Sequence, residues 1–282
     1  MDNATRLQYL EAMGVDVWVP RHRPVTGVSA GVESDNVGRT VECRDGGGIP
    51  SRAQVAMPGA NTEQREAQHD DIALVADIAE QGDAQPAEAA HSTRAGDQAW
   101  SELQQQVAAC HACGLCETRT QTVFGVGSHR ASWMLIGEAP GQNEDLQGEP
   151  FVGKAGQLLN EMLRAIGLTR DEVFIANILK CRPPNNRDPQ AEEVAACHDF
   201  LQQQISLLQP KIILAVGRIA AQNLLKTQQP LAKLRGQQHR LENIPLVVVH
   251  HPAYLLRTLT EKAKAWDDLQ FALSVYQLLE EK

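Results

Sequence analysis

Aromatic residues are scarce in this 282-residue chain, at 4% of the total, and none occurs between Val19 and Ala99. That stretch is instead rich in Gly, Ala, Gln, Asp and Glu, with clusters such as Asp45-Gly46-Gly47-Gly48. Such a composition cannot bury enough apolar surface to offset the entropy lost on ordering. Residues 21–98 are therefore expected to form a disordered acidic linker. Long apolar runs are missing too, so nothing in the sequence reads as a bilayer span. The opening residues Met1-Asp2-Asn3-Ala4-Thr5-Arg6 lack the basic start and apolar core of a signal peptide. A cytoplasmic protein with no membrane partner, and a monomeric state, is the expectation.

Positive charge is absent where acidity is densest. Residues 1–100 hold 8 Lys+Arg against 16 Asp+Glu, whereas residues 101–282 hold 18 against 19, and no lysine precedes Lys154. The net charge of −9 thus belongs almost entirely to the N-terminal arm. The second half is free to present a local basic face to a polyanion. Ahead of the linker, Leu7, Leu10 and Met13 fall on one face of a possible helix closed by Gly14, followed by Val15-Asp16-Val17-Trp18-Val19. Residues 1–20 are accordingly expected to be a short apolar docking motif for a partner, the alternative being a segment that packs back on the globular domain.

From Trp100 the pattern becomes alternating strand and helix. Short apolar runs end at Gly137, near Leu179, at Val216 and at Val249, and helical periodicities lie between them. This order predicts an α/β protein, a three-layer α/β/α sandwich around a roughly four-stranded parallel sheet, spanning 99–282. In such sheets ligands bind beyond the carboxyl ends of the strands. Gly137-Glu138-Ala139-Pro140-Gly141, Asn177 and His251 all fall at such ends.

Six cysteines in a reducing compartment argue for metal ligation or buried thiols rather than disulfides. Cys110 and Cys113 form a C-x2-C pair, while Cys181 and Cys197 lie downstream with fifteen residues between them. By spacing alone four thiolates suit zinc or an iron–sulfur cluster equally well.

These features together resemble the family 4, iron–sulfur uracil-DNA glycosylases, here of a bacterial type with an N-terminal extension. The resemblance rests on Gly137-Glu138-Ala139-Pro140-Gly141, the run Gly148-Glu149-Pro150-Phe151-Val152-Gly153-Lys154-Ala155-Gly156, the stretch Asn177-Ile178-Leu179-Lys180-Cys181-Arg182-Pro183-Pro184, and His251-Pro252-Ala253-Tyr254-Leu255-Leu256-Arg257. It covers about residues 110–279.

The resemblance implies a 4Fe–4S cluster on Cys110, Cys113, Cys181 and Cys197, with zinc as the less favoured occupant and Cys116 a bystander. It implies that uracil-containing DNA is the partner and that free uracil is released by hydrolysis of the N-glycosidic bond, leaving an abasic site for base excision repair. Phe151 would stack on the extruded base, Asn177 would read its edge, and Glu138, Ala139 and Pro140 would line the pocket. His251 would donate to the uracil O2 on which negative charge develops, while the Glu138 carboxylate would orient water or stabilise the sugar cation. Ala139 stands where some glycosylase families carry a water-activating Asp or Asn. Arg257, Tyr254 and Leu255 are expected to meet DNA, Arg257 at a phosphate, and Tyr254, Leu255 and Leu256 as a wedge, the alternative for these three being helix-start packing. On the same resemblance, the partner docking on residues 1–20 would be a repair or replication protein. Lys180, Arg182, Arg187 and Lys262 are further candidate phosphate contacts. The competing expectation is a non-catalytic DNA-binding or replisome adaptor with a structural metal site.

Overall fold

The computed structural model describes the backbone of residues 87–281 and the side chains of 96–281. The docking motif expected over 1–20, and all of the expected linker ahead of Ala87, lie outside the described residues.

Helix α1 (Ala87–Ala108) crosses the expected boundary at 98/99, so the tail of the stretch read as linker is helical. Trp100, Leu103 and Val107 recur at helical spacing and are buried. Trp100 stacks on His129 with ring centroids 4.2 Å apart and also meets Phe124 and Phe174.

The core is a six-stranded sheet that contains the expected four-stranded parallel sheet and two further edge strands. Its strands are β1 (Val126–Gly127), β2 (Trp133–Gly137), β3 (Val173–Asn177), β4 (Ile212–Val216), β5 (Gln238–Leu241) and β6 (Ile244–Val249), in spatial order β1-β3-β2-β4-β6-β5. The four inner strands are parallel, as expected, while β1 and β5 add antiparallel edges. β1 is two residues long and β5 alternates exposed with half-buried residues, so neither carries an apolar run. Short or polar edge strands also discourage pairing with another chain.

Every residue of β2, β3 and β4 is buried, because helices cover both faces. Met134, Ile136, Phe174, Ala176, Ile213 and Ala215 point to one face, which packs on α1, on α4 (Ala191–Leu208) and on α5 (Arg218–Leu224). Trp133, Leu135, Val173, Ile175, Ile212 and Leu214 point to the other. That face meets α3 (Lys154–Ala165) and, near the carboxyl edge, the short α7 (Pro252–Arg257) and the C-terminal α8 (Lys262–Glu280). Each fully buried aliphatic side chain contributes about 1.5–3 kcal/mol, an upper estimate. Two further short helices, α2 (Gln142–Gln147) and α6 (Leu231–Leu234), lie in the connections. Among the described residues no helix is long and apolar enough to cross a membrane.

Chain order reverses about β2, which has β3 on one side and β4 on the other. The carboxyl ends of the strands there part to leave a crevice. Gly137 pairs with Asn177 and Val216 with Val249 in register, so the turns that follow all open at the same edge.

Candidate active site

A cleft of about 800 Å³ opens at that edge, lined by residues that include Glu138, Ala139, Pro140, Phe151, Asn177 and His251. All six expected pocket residues therefore meet in one cavity.

The turn after β2 shapes its floor. A Cβ on Gly137 would stand 2.4 Å from Asn177 Oδ1 and 2.8 Å from the Phe151 ring, so only glycine lets both side chains close over the strand end. Two hydrogen bonds tie the turns beyond the strand ends, Ile178 N–H donating to Gly137 O and Leu179 N–H to Glu138 O.

Phe151 is buried and lies against His251, ring centroids 5.6 Å apart. Its φ is +55°, in the left-handed region that costs a bulky residue about 1–3 kcal/mol. Several groups hold the loop around it. Glu144 on α2 accepts from the N–H groups of Val152 and Gly153 at 3.0 and 3.2 Å. Arg170 donates to Pro150 O and, at 3.4 Å, to Phe151 O. A Cβ at Gly156 would sit 1.7 Å from Phe151 O, so the carbonyl rests directly on the start of α3.

Asn177 is 2% exposed, and its Oδ1 has no hydrogen-bond partner among the described residues. A buried acceptor left unpaired costs about 1–3 kcal/mol, so such an atom points to a ligand donor. His251 caps the N-terminus of α7, its Nδ1 accepting from the Ala253 N–H at 3.1 Å. Burial, then the charge of Arg257, pushes its pKa down to about 4, so the ring is neutral near pH 7. With Nδ1 accepting, the proton resides on Nε2, which is a free donor. A Cβ at Gly217 would come within 2.9 Å of His251 Cβ, so the turn after β4 forms a wall behind the imidazole.

Glu138 is half-buried beside the ion pair of Asp188 and Arg218, which meet at 3.0 Å. Burial raises its pKa to about 7, Asp188 adding to the rise and Arg218 opposing it. A carboxyl poised near neutrality in a cleft is the expected signature of a working acid or base.

The neighbouring His250 is buried, stacks on Tyr254 and has its Nε2 3.5 Å from Glu261 Oε2. Its pKa is also pushed down to about 4 by burial. It lines the same cleft, but on the side of Arg235, Glu261 and Lys264.

The expected DNA-contact set needs two corrections. Leu255 is 1% exposed and packs in the core beneath the sheet, because it occupies the inward face of α7. Tyr254, Leu256 and Leu259 are the exposed apolar residues at this rim, and Arg257 is exposed beside them. Lys180 is 1% exposed, with Nζ donating to Asn177 O and Gln204 Oε1, both at 2.7 Å, so it is not placed to meet a phosphate. Burial drops its pKa to about 7. Arg187 is paired with Glu193.

A second, smaller cavity lies on the α1–α4 side of the sheet, lined by Cys110, Cys113, Cys116, Cys181 and Cys197. Cys110 follows α1, Cys113 precedes a short 3-10 turn (Gly114–Glu117), Cys181 follows β3 and Cys197 lies on α4. Arg119 donates to Cys181 Sγ at 2.9 Å and to Cys110 O at 2.8 Å, and Ala112 N–H approaches Cys110 Sγ at 3.5 Å. Burial pushes the free Cys181 thiol up to about 11, with Arg119 opposing, and raises Cys197 as well. Uncomplexed, these sulfurs stay protonated, and ligation would deprotonate them. Among the described residues no three His, Cys, Asp or Glu side chains converge closely enough to clasp a single ion. The five thiols line one cavity, and soft sulfur donors suit zinc or an iron–sulfur cluster.

Sequence reasoning missed Glu144, Arg170, Gly217 and the Asp188–Arg218 pair. All act on backbone groups or through neighbours. Gly217, following the apolar run of β4, is the one whose position at a strand end carried a usable signal.

Residues 124–270 match the family described as the uracil DNA glycosylase superfamily. The type-4 uracil-DNA glycosylase of Archaeoglobus fulgidus is 44% identical over 55% of this chain and 82% of its own length. Those of Sulfurisphaera tokodaii and Pyrobaculum aerophilum are 42% and 43% identical, over 55% of this chain and 74% and 84% of their own lengths.

Proposed function

Because the chain belongs to the uracil DNA glycosylase superfamily, we infer that its cleft is a uracil pocket and that the protein is a uracil-DNA glycosylase. The single observation that carries this reading is that Asn177, whose buried Oδ1 has no hydrogen-bond partner among the described residues, lines a cleft shared with Phe151 and His251.

Each group has a part in the chemistry. Extruding deoxyuridine from a duplex costs a few kcal/mol, which stacking and hydrogen bonding must offset. Phe151 offers the stacking face. Asn177 Oδ1 accepts from uracil N3–H while its amide nitrogen donates to O4, and cytosine presents the reverse pattern. As the N-glycosidic bond breaks, negative charge collects on O2 and positive charge on the sugar. The neutral His251 donates from Nε2 to O2, a fixed donor aimed at developing charge and needing no proton transfer. Ionised Glu138 sits at the mouth of the turn as the counter-charge to the sugar cation and the group nearest to hold a water. The backbone of Ala139 and Pro140 completes the wall. Arg257 and Tyr254 are assigned to the DNA rim, with Leu256 rather than Leu255 beside them.

Cys110, Cys113, Cys181 and Cys197 are the proposed ligands of a 4Fe–4S cluster, supported by the shared cavity and the N–H groups around it. When bound, the cluster cross-links α1, the end of β3 and α4. The strand end it braces is the one that carries Asn177.

Incubation with an oligonucleotide bearing one uracil, followed by alkali, tests the reading. Strand scission at the uracil is expected. An intact strand would leave only a non-catalytic DNA-binding role.

A further inference from the structure

The stacking phenylalanine is held in place by a residue that does not itself line the cleft. Phe151 has a φ of +55°, and its ring is pressed on the Gly137 backbone and beside His251. That backbone turn points the carbonyls of Pro150 and Phe151 to the same side, where the Arg170 guanidinium donates to both. Arg170 comes from a different element, a short 3-10 turn (Arg170–Glu172) ahead of β3. Its start is fixed by Thr169, whose N–H and hydroxyl both donate to Glu172 Oε2 at 2.7 and 2.8 Å. On its far side, Phe151 O abuts Gly156.

We propose that Arg170 is a positioning residue for base recognition: it clamps two successive carbonyls so that Phe151 stays in the left-handed conformation that turns its ring into the uracil pocket. A planar fork of donors can serve two carbonyls at once, whereas a lysine ammonium on a flexible stem is a poor substitute. Without the clamp, the loop would relax to an extended backbone and swing the ring away from Gly137.

This inference rests on the uracil-pocket reading, and the test separates the two. Excision by the wild-type protein is the control, and an inactive wild type overturns the pocket reading itself. With wild type active, free uracil is used as an inhibitor, since it probes the pocket without requiring base extrusion. Arg170→Met is expected to weaken uracil inhibition and to lower kcat/KM by about tenfold each, below the hundredfold that misplacing a reacting group can cost. Arg170→Lys is expected to fall between the two. In a Phe151→Ala background, adding Arg170→Met should change kcat/KM less than about twofold, because contacts acting through one side chain are not additive. Normal uracil inhibition in Arg170→Met, or the same tenfold loss in the Phe151→Ala background, would overturn the proposal. Should Arg170→Met fail to fold, Arg170→Lys reads the same quantities, and a wild-type value for both would overturn it.

Discussion

Ala253 donates its backbone N–H to Nδ1 of His251 at 3.1 Å, and that one bond settles the tautomer of the imidazole. A helix N-terminus supplies the donor, so His251 is the cap of α7 and, on the proposed reading, also the Nε2–H donor to the bound base. Removing it subtracts a preorganised donor to the developing oxyanion. His251→Ala is expected to lower kcat by about 10²–10³ with little change in KM. Single-turnover excision measures it, and a loss confined to KM would assign His251 to binding alone.

The pH profile follows from two different groups. His251, with its pKa near 4, stays neutral across the working range and contributes no ionisation there. Glu138 is raised to about 7 and, in the proposed role, works in its ionised form against the sugar cation. Excision is therefore expected to rise with pH through about 7, and the rise should vanish in Glu138→Gln. The same shift predicts a stability effect of definite sign. Between the ordinary carboxyl value and about 7 the folded state holds a proton that the unfolded state releases, so the native protein loses stability as pH rises through this window. Glu138→Gln should thus raise Tm relative to wild type more at pH 8 than at pH 5, as thermal melts at the two values would show.

Asn177 carries an opposite trade between stability and function. Its buried Oδ1 has no partner among the described residues, so Asn177→Ala is expected to abolish uracil selectivity without lowering Tm in proportion to the volume removed. Asn177→Asp replaces the donor to O4 with a second acceptor and should reduce uracil excision by at least about tenfold, the worth of one lost hydrogen bond to a buried site. Competition between uracil- and cytosine-containing oligonucleotides, together with melting curves, checks both.

Five cysteines share one cavity, and four are expected to be ligands. Cys181→Ser should remove the broad absorbance near roughly 400 nm that cysteine-held iron–sulfur clusters give in anaerobically purified protein. Cys116→Ser should keep it. Retention by Cys181→Ser with loss by Cys116→Ser would put Cys116 in place of Cys181 among the four ligands.

How much of this was legible in the chain differs by feature. The inner strands were visible because helices on both faces make them continuous apolar runs, such as Val173 to Ile175 and Ile212 to Leu214. The edge strands were not, because Val126-Gly127 is too short and Gln238-His239-Arg240 too polar to register. Helix α1 begins in an Ala-rich stretch with no large apolar side chain before Trp100, so its first turns looked like linker. The pocket residues Phe151, Asn177 and His251 were legible through their motifs. Leu255 was misread because the motif runs on into a helix, whose 100° turn per residue sends Leu255 inward between the exposed Tyr254 and Leu256. Arg170 and Glu144 were invisible for a different reason: they bind backbone atoms, and a carbonyl or amide leaves no mark in sequence.

The most direct test of the central claim is to identify the base released from duplexes carrying U·G, U·A, T·G and C·G pairs, by chromatography of the small-molecule fraction. The pocket of Phe151, Asn177 and His251 predicts free uracil from both uracil duplexes and no base from the other two. Release of thymine or cytosine at a comparable rate, or no release from any of the four, would contradict it.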